Sequence, residues 1–331
     1  MEYPGKILLL SAGMLVASAA IAQRERLPAE CRQQIAEHCR AEGGGLRQCL
    51  RTALPKLSEN CRSVLSDRSA SRAAAPPGAR EYFYGVDPKQ NLDLVVPAGA
   101  TKAPILVFIH GGGWAIGDKR HSAAPKAAHF TANGWAFASL NYRLVPKATV
   151  EQQAADIAAG LAWLRRNAAA KGLDGDRIIL MGHSAGAHLA ALVGTDPAYL
   201  AAAGVPMSAI DGIILLDGAG YDIAQQMSRP GNPVSGMYDA AFGRDPARQR
   251  ALSPSRHAAA PNAPNWLVLP VARRADSTAQ SHSLAAALNR AGASATVVPV
   301  PGESHGSLNK GLGEQGDFAT AEVDRFLATL R

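Results

Sequence analysis

The chain reads as an α/β protein built on a mostly parallel, doubly wound sheet, and three observations point there. Short apolar runs that read as buried strands alternate with stretches of helical spacing, the pattern that parallel strands and crossover helices require. The residues able to do chemistry fall just beyond the C-terminal ends of those runs, where an open parallel sheet gathers its loops around a ligand. The length of 331 residues, with 47% hydrophobic composition, suffices for one large domain and a small appendage.

Taken in order, Lys6 precedes an uncharged run from Ile7 to Ala22 that closes on Ala20-Ile21-Ala22. That is the n-region, h-region and Ala-x-Ala site of a signal peptide, with Gln23 as the expected mature start. The run is too short and too rich in Ala, Ser and Gly to span a bilayer, so stable membrane insertion is not expected. The predicted location is periplasmic or secreted.

All four cysteines lie close together: Cys31, Cys39, Cys49 and Cys61. Their spacing lacks the tight Cys-x-x-Cys pairs of zinc sites, and an even count in an exported segment reads as two disulfides. Periodicity predicts helices near 28–40 and 46–54, broken by Gly43-Gly44-Gly45. A nested pairing, Cys31–Cys61 with Cys39–Cys49, would close such a hairpin, although four cysteines allow three connectivities. From Arg24 to Arg80 there are eleven Lys or Arg against six Asp or Glu, so most of the net charge of +7 sits here. A solvated helical face explains that excess; weak docking to an acidic envelope surface is the sharper reading. Without interleaved aromatics, and in an exported chain, nucleic acid is not an expected partner. Residues 67–80, with Pro76-Pro77-Gly78, read as a linker, so the division is 1–22 signal peptide, 23–66 cysteine-rich helical module, 67–80 linker and 81–331 catalytic domain.

In the larger part, residues 104–109 read as a strand that runs into His110-Gly111-Gly112-Gly113-Trp114. Acyl transfer creates an oxyanion that needs backbone N–H donors unobstructed by side chains, and consecutive glycines suit that task. Residues 136–141 form a further strand, and 151–170 a helix with Ala154, Ile157, Ala158, Leu161 and Leu164 on one face. The run 178–181 leads into Gly182-His183-Ser184-Ala185-Gly186 and then an apolar helical pattern. A serine between glycines at a strand-to-helix turn is a nucleophile elbow. Residues 219–264 show little periodicity and are where a cap or pocket wall would be inserted. The run 265–271 is followed by Asp276, and the run 295–300 by the loop holding His305. Serine, acid, histidine is the order that the α/β-hydrolase fold uses.

On these motifs the chain resembles bacterial α/β-hydrolases of the carboxylesterase branch that carry His-Gly-Gly-Gly-Trp: feruloyl-esterase-like, arylformamidase-like and hormone-sensitive-lipase-like enzymes. The resemblance covers about residues 80–331. It implies Ser184 as nucleophile, His305 as general base and acid, and Asp276 as the orienting carboxylate. It also implies oxyanion donors at Gly112, Gly113 and Ala185, and no cofactor or metal. His183 stands where many lipase-like relatives have Asp, which favours the esterase or formamidase side. Arg273-Arg274 is unusual just before the expected acid. Trp114 and His183 are the candidate substrate contacts, with plain packing as the other reading of each, while His110 is expected to fix its loop by hydrogen bonding. Asp217 also ends a strand and is the alternative carboxylate to orient the histidine, but its expected role is hydrogen bonding in the turn. The N-terminal segment resembles a cysteine-rich repeat of Golgi-type glycoproteins in Gln48-Cys49-Leu50-Arg51 and Leu57-Ser58-x-x-Cys61. The expected activity is hydrolysis of small or aryl carboxylic esters through an acyl-enzyme. A formamidase sharing the same residues, or a non-catalytic binding module, is the alternative.

Overall fold

A computed structural model of the chain describes residues 29–39, 56–58, 61, 74–228, 235–259 and 261–330. It separates into two compact units, Met1–Arg68 and Ser69–Arg331. The expected signal peptide, the second helix of the cysteine-rich module and residues 67–73 of the expected linker lie outside the described residues.

In the first unit, helix α1 spans Ala29–Cys39. Cys31 and Cys61 form the disulfide expected for the outer pair. Both are buried with Leu57, and Ile35 packs against them. The amide of Ser58 donates to the side chain of Gln34 at 2.8 Å, tying the later segment to the helix. With so small a described core, a cross-link closing 30 residues is the larger stabiliser, worth about 4 kcal/mol by loop-closure entropy. Cys39 is also disulfide-bonded, whereas Cys49 lies outside the described residues.

The second unit is an eight-stranded sheet in the order β1-β2-β4-β3-β5-β6-β7-β8. Its strands are β1 Arg80–Phe83, β2 Asn91–Val95, β3 Ala103–Ile109, β4 Ala136–Leu140, β5 Leu173–His183, β6 Ile210–Leu216, β7 Asn265–Leu269 and β8 Ser294–Val297. Strand β2 runs antiparallel to β1 and β4, and every other pairing is parallel. The C-terminal halves of the central parallel strands β3, β5, β6 and β7 are apolar and buried, as strands covered on both faces require. Ile105, Val107 and Ile109 of β3 and Ile178 and Leu180 of β5 enter one core. Their neighbours Leu106, Phe108, Ile179 and Met181 enter the other.

Helices α2 (Ala123–Ala132), α10 (His305–Gly311) and α11 (Phe318–Ala328) contribute buried side chains to the Phe108 face. Helices α3 (Val150–Arg166), α4 (Ala185–Thr195) and α9 (Ala275–Arg290) contribute to the other. Helix α3 starts where it does because Thr149 and Gln152 form a capping box. Helices α5 to α8 are short. Pro197–Ala202 (α5) precedes β6, and Ile223–Met227 (α6), Ser235–Phe242 (α7) and Pro246–Ala251 (α8) fill the stretch read as an insertion. The helices there are too brief to show a repeat in sequence.

Lys126 is a cation held deep inside this scaffold. Lys126 of α2 is fully buried, with its ammonium 5.0 Å from the centre of the Phe108 ring. It donates to the carbonyls of Ser122, at 2.8 Å, and of Asn309. Burial pulls its pKa from the usual 10.5 down to about 7. Between those two values the unfolded chain binds more protons than the folded one, so this group makes folding more favourable as pH rises. The difference in unfolding free energy between the native chain and Lys126→Met is therefore expected to shift in favour of the native chain from about pH 7 to about pH 10. Urea unfolding at several pH values measures it, and a pH-independent difference would show that the ammonium titrates normally.

Candidate active site

The site begins at the junction of β5 and α4. Ser184 has φ 56° and ψ −120°, a conformation rare for a residue with a side chain. The flanking glycines permit it. A Cβ on Gly182 would stand 2.2 Å from the Gly186 carbonyl oxygen, and one on Gly186 would stand 2.2 Å from that of Ile109. The turn is thus pressed against the end of β3. The Ser184 amide donates to the Leu216 carbonyl at 3.0 Å, which ties the elbow to β6 as well.

His305 opens α10, after Ser304 caps the helix. Its Nε2 lies 3.0 Å from the hydroxyl oxygen of Ser184. Its Nδ1 lies 2.6 Å from Oδ2 of Asp217, the residue just past β6. Asp217 also has positive φ, at 44°, and its Oδ1 accepts the Val271 amide at 2.9 Å. Burial alone would raise the Asp217 carboxyl. The His305 hydrogen bond and the Arg274 cation outweigh it and hold the group well below the usual carboxylate range. The arrangement keeps a proton on Nδ1 and leaves Nε2 free to accept from the serine.

The carboxylate facing His305 is therefore Asp217 and not Asp276, a correction to the sequence expectation. Strand β7 ends at Leu269, and the following turn, closed by Arg274 N–H to Val271 carbonyl at 2.9 Å, sends Arg274 toward His305. Asp276 enters the first turn of α9 instead. Its Oδ2 lies 3.4 Å from Nε2 of Gln226 and 3.7 Å from Nη2 of Arg274, on the outer side of that arginine. Two signals pointed to Asp217. It stands before a glycine at the end of an apolar strand, and the loop expected to hold the acid carries two arginines.

The glycine loop after β3 lies on the elbow. A Cβ on Gly111 would be 3.0 Å from that of Ser184. Gly112 has φ 128° and Gly113 φ 59°, and side chains there would strike the Ile116 carbonyl and the Met237 sulfur. Ala185 begins α4. Among the described residues, no carbonyl takes up the amide N–H groups of Gly112, Gly113 or Ala185. They are thus three unengaged donors beside a hydroxyl, the composition an oxyanion cradle needs.

The two expected substrate contacts turn out otherwise. Trp114 is 2% exposed and packs edge-on against His188, Tyr238 and Phe242. Its ring belongs to the core, and its backbone has a positive φ of 62°. Its indole N–H donates to His188 Nδ1 at 3.3 Å, and its carbonyl accepts from the Val145 amide and the Gln153 side chain. His183 is buried beneath His305, with ring centres 4.6 Å apart. Burial first, then the neighbouring imidazole, lower it to about 3, so it stays neutral and donates Nε2–H to the His305 carbonyl at 2.9 Å. His110 is fully buried, with Nδ1 2.8 Å from the Gly111 carbonyl, consistent with a loop-fixing role. Three of the four positive-φ residues other than glycine among those described, Trp114, Ser184 and Asp217, sit at this site. Such strain persists where surrounding contacts enforce it. Among the described residues no cluster of His, Cys, Asp or Glu is arranged to hold a metal ion.

The family model described as BD-FAE matches residues 92–205, which include the glycine loop and the elbow. Esterase LipQ of Mycobacterium tuberculosis is 38% identical over 125 residues, 37% of this chain and 28% of LipQ. The isoprenylcysteine alpha-carbonyl methylesterase ICME of Arabidopsis thaliana is 36% identical over 113 residues, 34% and 26% of the two chains. The chain thus spans only about a quarter to a third of the length of these curated relatives. Esterase B from Lactobacillus Rhamnosis aligns over 86% of this chain and 94% of its own, with a TM-score of 0.66 at 22% identity. A thermophilic esterase of Thermogutta terrifontis, in its butyrate-bound form, aligns over 77% and 95%, with a TM-score of 0.61 at 25% identity. With this sheet order, this elbow and these structural neighbours, the chain has the α/β-hydrolase fold.

Proposed function

We propose that the protein is an exported serine carboxylesterase that hydrolyses small or aryl esters through an acyl-enzyme on Ser184. The observation that carries this reading is the unbroken line from the Ser184 hydroxyl through His305 to Asp217, at 3.0 and 2.6 Å. The esterase relatives and structural neighbours support it.

In the first half-reaction His305 Nε2 takes the Ser184 proton as the oxygen attacks the ester carbonyl. The amides of Gly112, Gly113 and Ala185 receive the negative charge that develops on the carbonyl oxygen, each such donor being worth about 10²–10³ in rate. Asp217 holds Nδ1–H and stabilises the imidazolium, which then protonates the leaving alcohol. Water enters by the same steps and releases the acid. Met237 stands over Gly113 and is partly exposed, so α7 supplies an apolar wall close to the reacting carbon and favours short acyl groups.

Four outcomes test the reading. A fluorophosphonate probe is expected to label the native protein and not Ser184→Ala; an unlabelled native protein would leave a binding module as the better account. Asp217→Asn is expected to lower kcat by about 10³–10⁴, while Asp276→Asn costs less than about tenfold. Equal losses from the two would return the orienting role to Asp276. A panel of p-nitrophenyl esters, feruloyl esters and N-formyl anilides should show esters turned over faster; faster formanilide cleavage would make the enzyme a formamidase. Finally, Met237→Ala should raise kcat/KM for hexanoate relative to acetate by about tenfold, as expected when a pocket gains room for extra methylenes. An unchanged ratio would place the acyl wall elsewhere.

A further inference from the structure

We propose that Arg274 is a positioning residue of this triad, its guanidinium sharing Oδ2 of Asp217 with His305 and restraining the positive charge that the imidazole gains during acyl transfer. This rests on the serine-esterase reading above.

The geometry is a closed triangle. Nη1 of Arg274 lies 2.6 Å from Oδ2 of Asp217, and His305 Nδ1 lies 2.6 Å from the same oxygen. Nη1 and Nδ1 are themselves 2.9 Å apart. Both nitrogens carry hydrogen in the tautomer the serine needs, so they cannot bond to each other; they converge on one oxygen. A further contact from Nη1 to the Asp217 carbonyl at 3.3 Å fixes the guanidinium on that residue. The second carboxylate oxygen is occupied by the Val271 amide, so the anion cannot rotate away. Asp217 is completely buried, whereas Arg274 is about one-third exposed. A cation that was only a surface ornament would not reach an oxygen already engaged by an imidazole.

The other groups around the ring do not substitute for this charge. From the elbow come neutral His183 and the Ser184 hydroxyl. Behind α10 is Lys126, whose ammonium holds the Asn309 carbonyl. Tyr221 and Tyr238, on the segment after β6, are buried phenols pushed well above their ordinary value by burial. On the far side of Arg274, Asp276 lies 3.7 Å from Nη2 and balances the guanidinium from behind.

The consequence has a definite sign. When His305 gains a proton, one buried carboxylate must serve two cations in contact, and like charges at this distance disfavour the protonated ring. Removing the guanidinium leaves Asp217 to the imidazole alone, so protonation becomes easier and less free base remains at a given pH. Arg274 thereby extends activity toward lower pH and discourages a long-lived imidazolium.

The test is the pH profile of kcat/KM for p-nitrophenyl acetate, together with that of fluorophosphonate inactivation. Native protein, Arg274→Gln and Arg274→Lys are compared. In Arg274→Gln the acid limb of both profiles is expected to move up by about one pH unit. Arg274→Lys, which keeps the cation but not the fork, should hold the limb near its native position while its plateau rate falls. A limb in Arg274→Gln that moves by less than about 0.3 unit, with only the plateau lowered, would make the arginine a structural brace and overturn the proposal. Should Arg274→Gln fail to fold, Arg274→Lys decides alone: a limb displaced upward there overturns the proposal, because the charge is still present. Failure of the esterase reading has a different signature, since native protein would then neither turn over ester nor take up the probe.

Discussion

One carboxylate oxygen, Oδ2 of Asp217, holds the arrangement on which every other feature of the site depends. It fixes the His305 ring and with it the nitrogen that faces Ser184. Because the carboxylate is buried, its charge is little screened, and a short hydrogen bond to it selects one imidazole tautomer. Because Asp217 follows the last residue of β6, its position is set by the central sheet and not by a loose loop. The sheet order does the rest. Strands β3, β5 and β6 are adjacent, so the glycine loop, the elbow and the carboxylate emerge side by side from one edge. His305 arrives from beyond β8, on a helix whose later turn is held by the buried ammonium of Lys126.

The same adjacency explains why strain gathers here. Ser184 adopts its left-handed backbone because α4 must begin at once after β5, and the close approach of Gly186 to the Ile109 carbonyl leaves no room for a gentler turn. Asp217 tolerates its own positive φ because Asp, with a short polar side chain, is among the residues least penalised there. Neither conformation is favoured locally. Both are imposed by the packing of strands and helices around them.

How much of this was legible in the sequence follows from how local each piece is. The elbow and the glycine loop could be read because their chemistry is written in consecutive residues with strand-like sequence before them. His305 could be read because it stands in a short loop after a strand, with no competing histidine nearby. The parallel strands were readable as apolar runs, whereas β1 and β2, short and with exposed or polar positions, were not. The carboxylate was misplaced for a physical reason. Which of two strand-end acids reaches the histidine depends on the direction of the turn after β7, and that turn presents Arg274 inward and leaves Asp276 behind it. Trp114 could be read either as a pocket residue or as core, because its burial accompanies an unusual backbone angle that composition does not disclose. The short helices between 223 and 251 carry no periodic signal, so the wall that Met237 provides was visible only as a stretch without pattern.

The clamped tryptophan has a kinetic implication. Its carbonyl is held by the start of α3 and by the segment after β4, and its indole is anchored to His188, one turn beyond Ser184. A loop tied at backbone and ring to three separate elements has little entropy left to lose when a carbonyl docks. Ground-state binding therefore need not be consumed in organising the cradle, and more of it is free to act on the barrier itself.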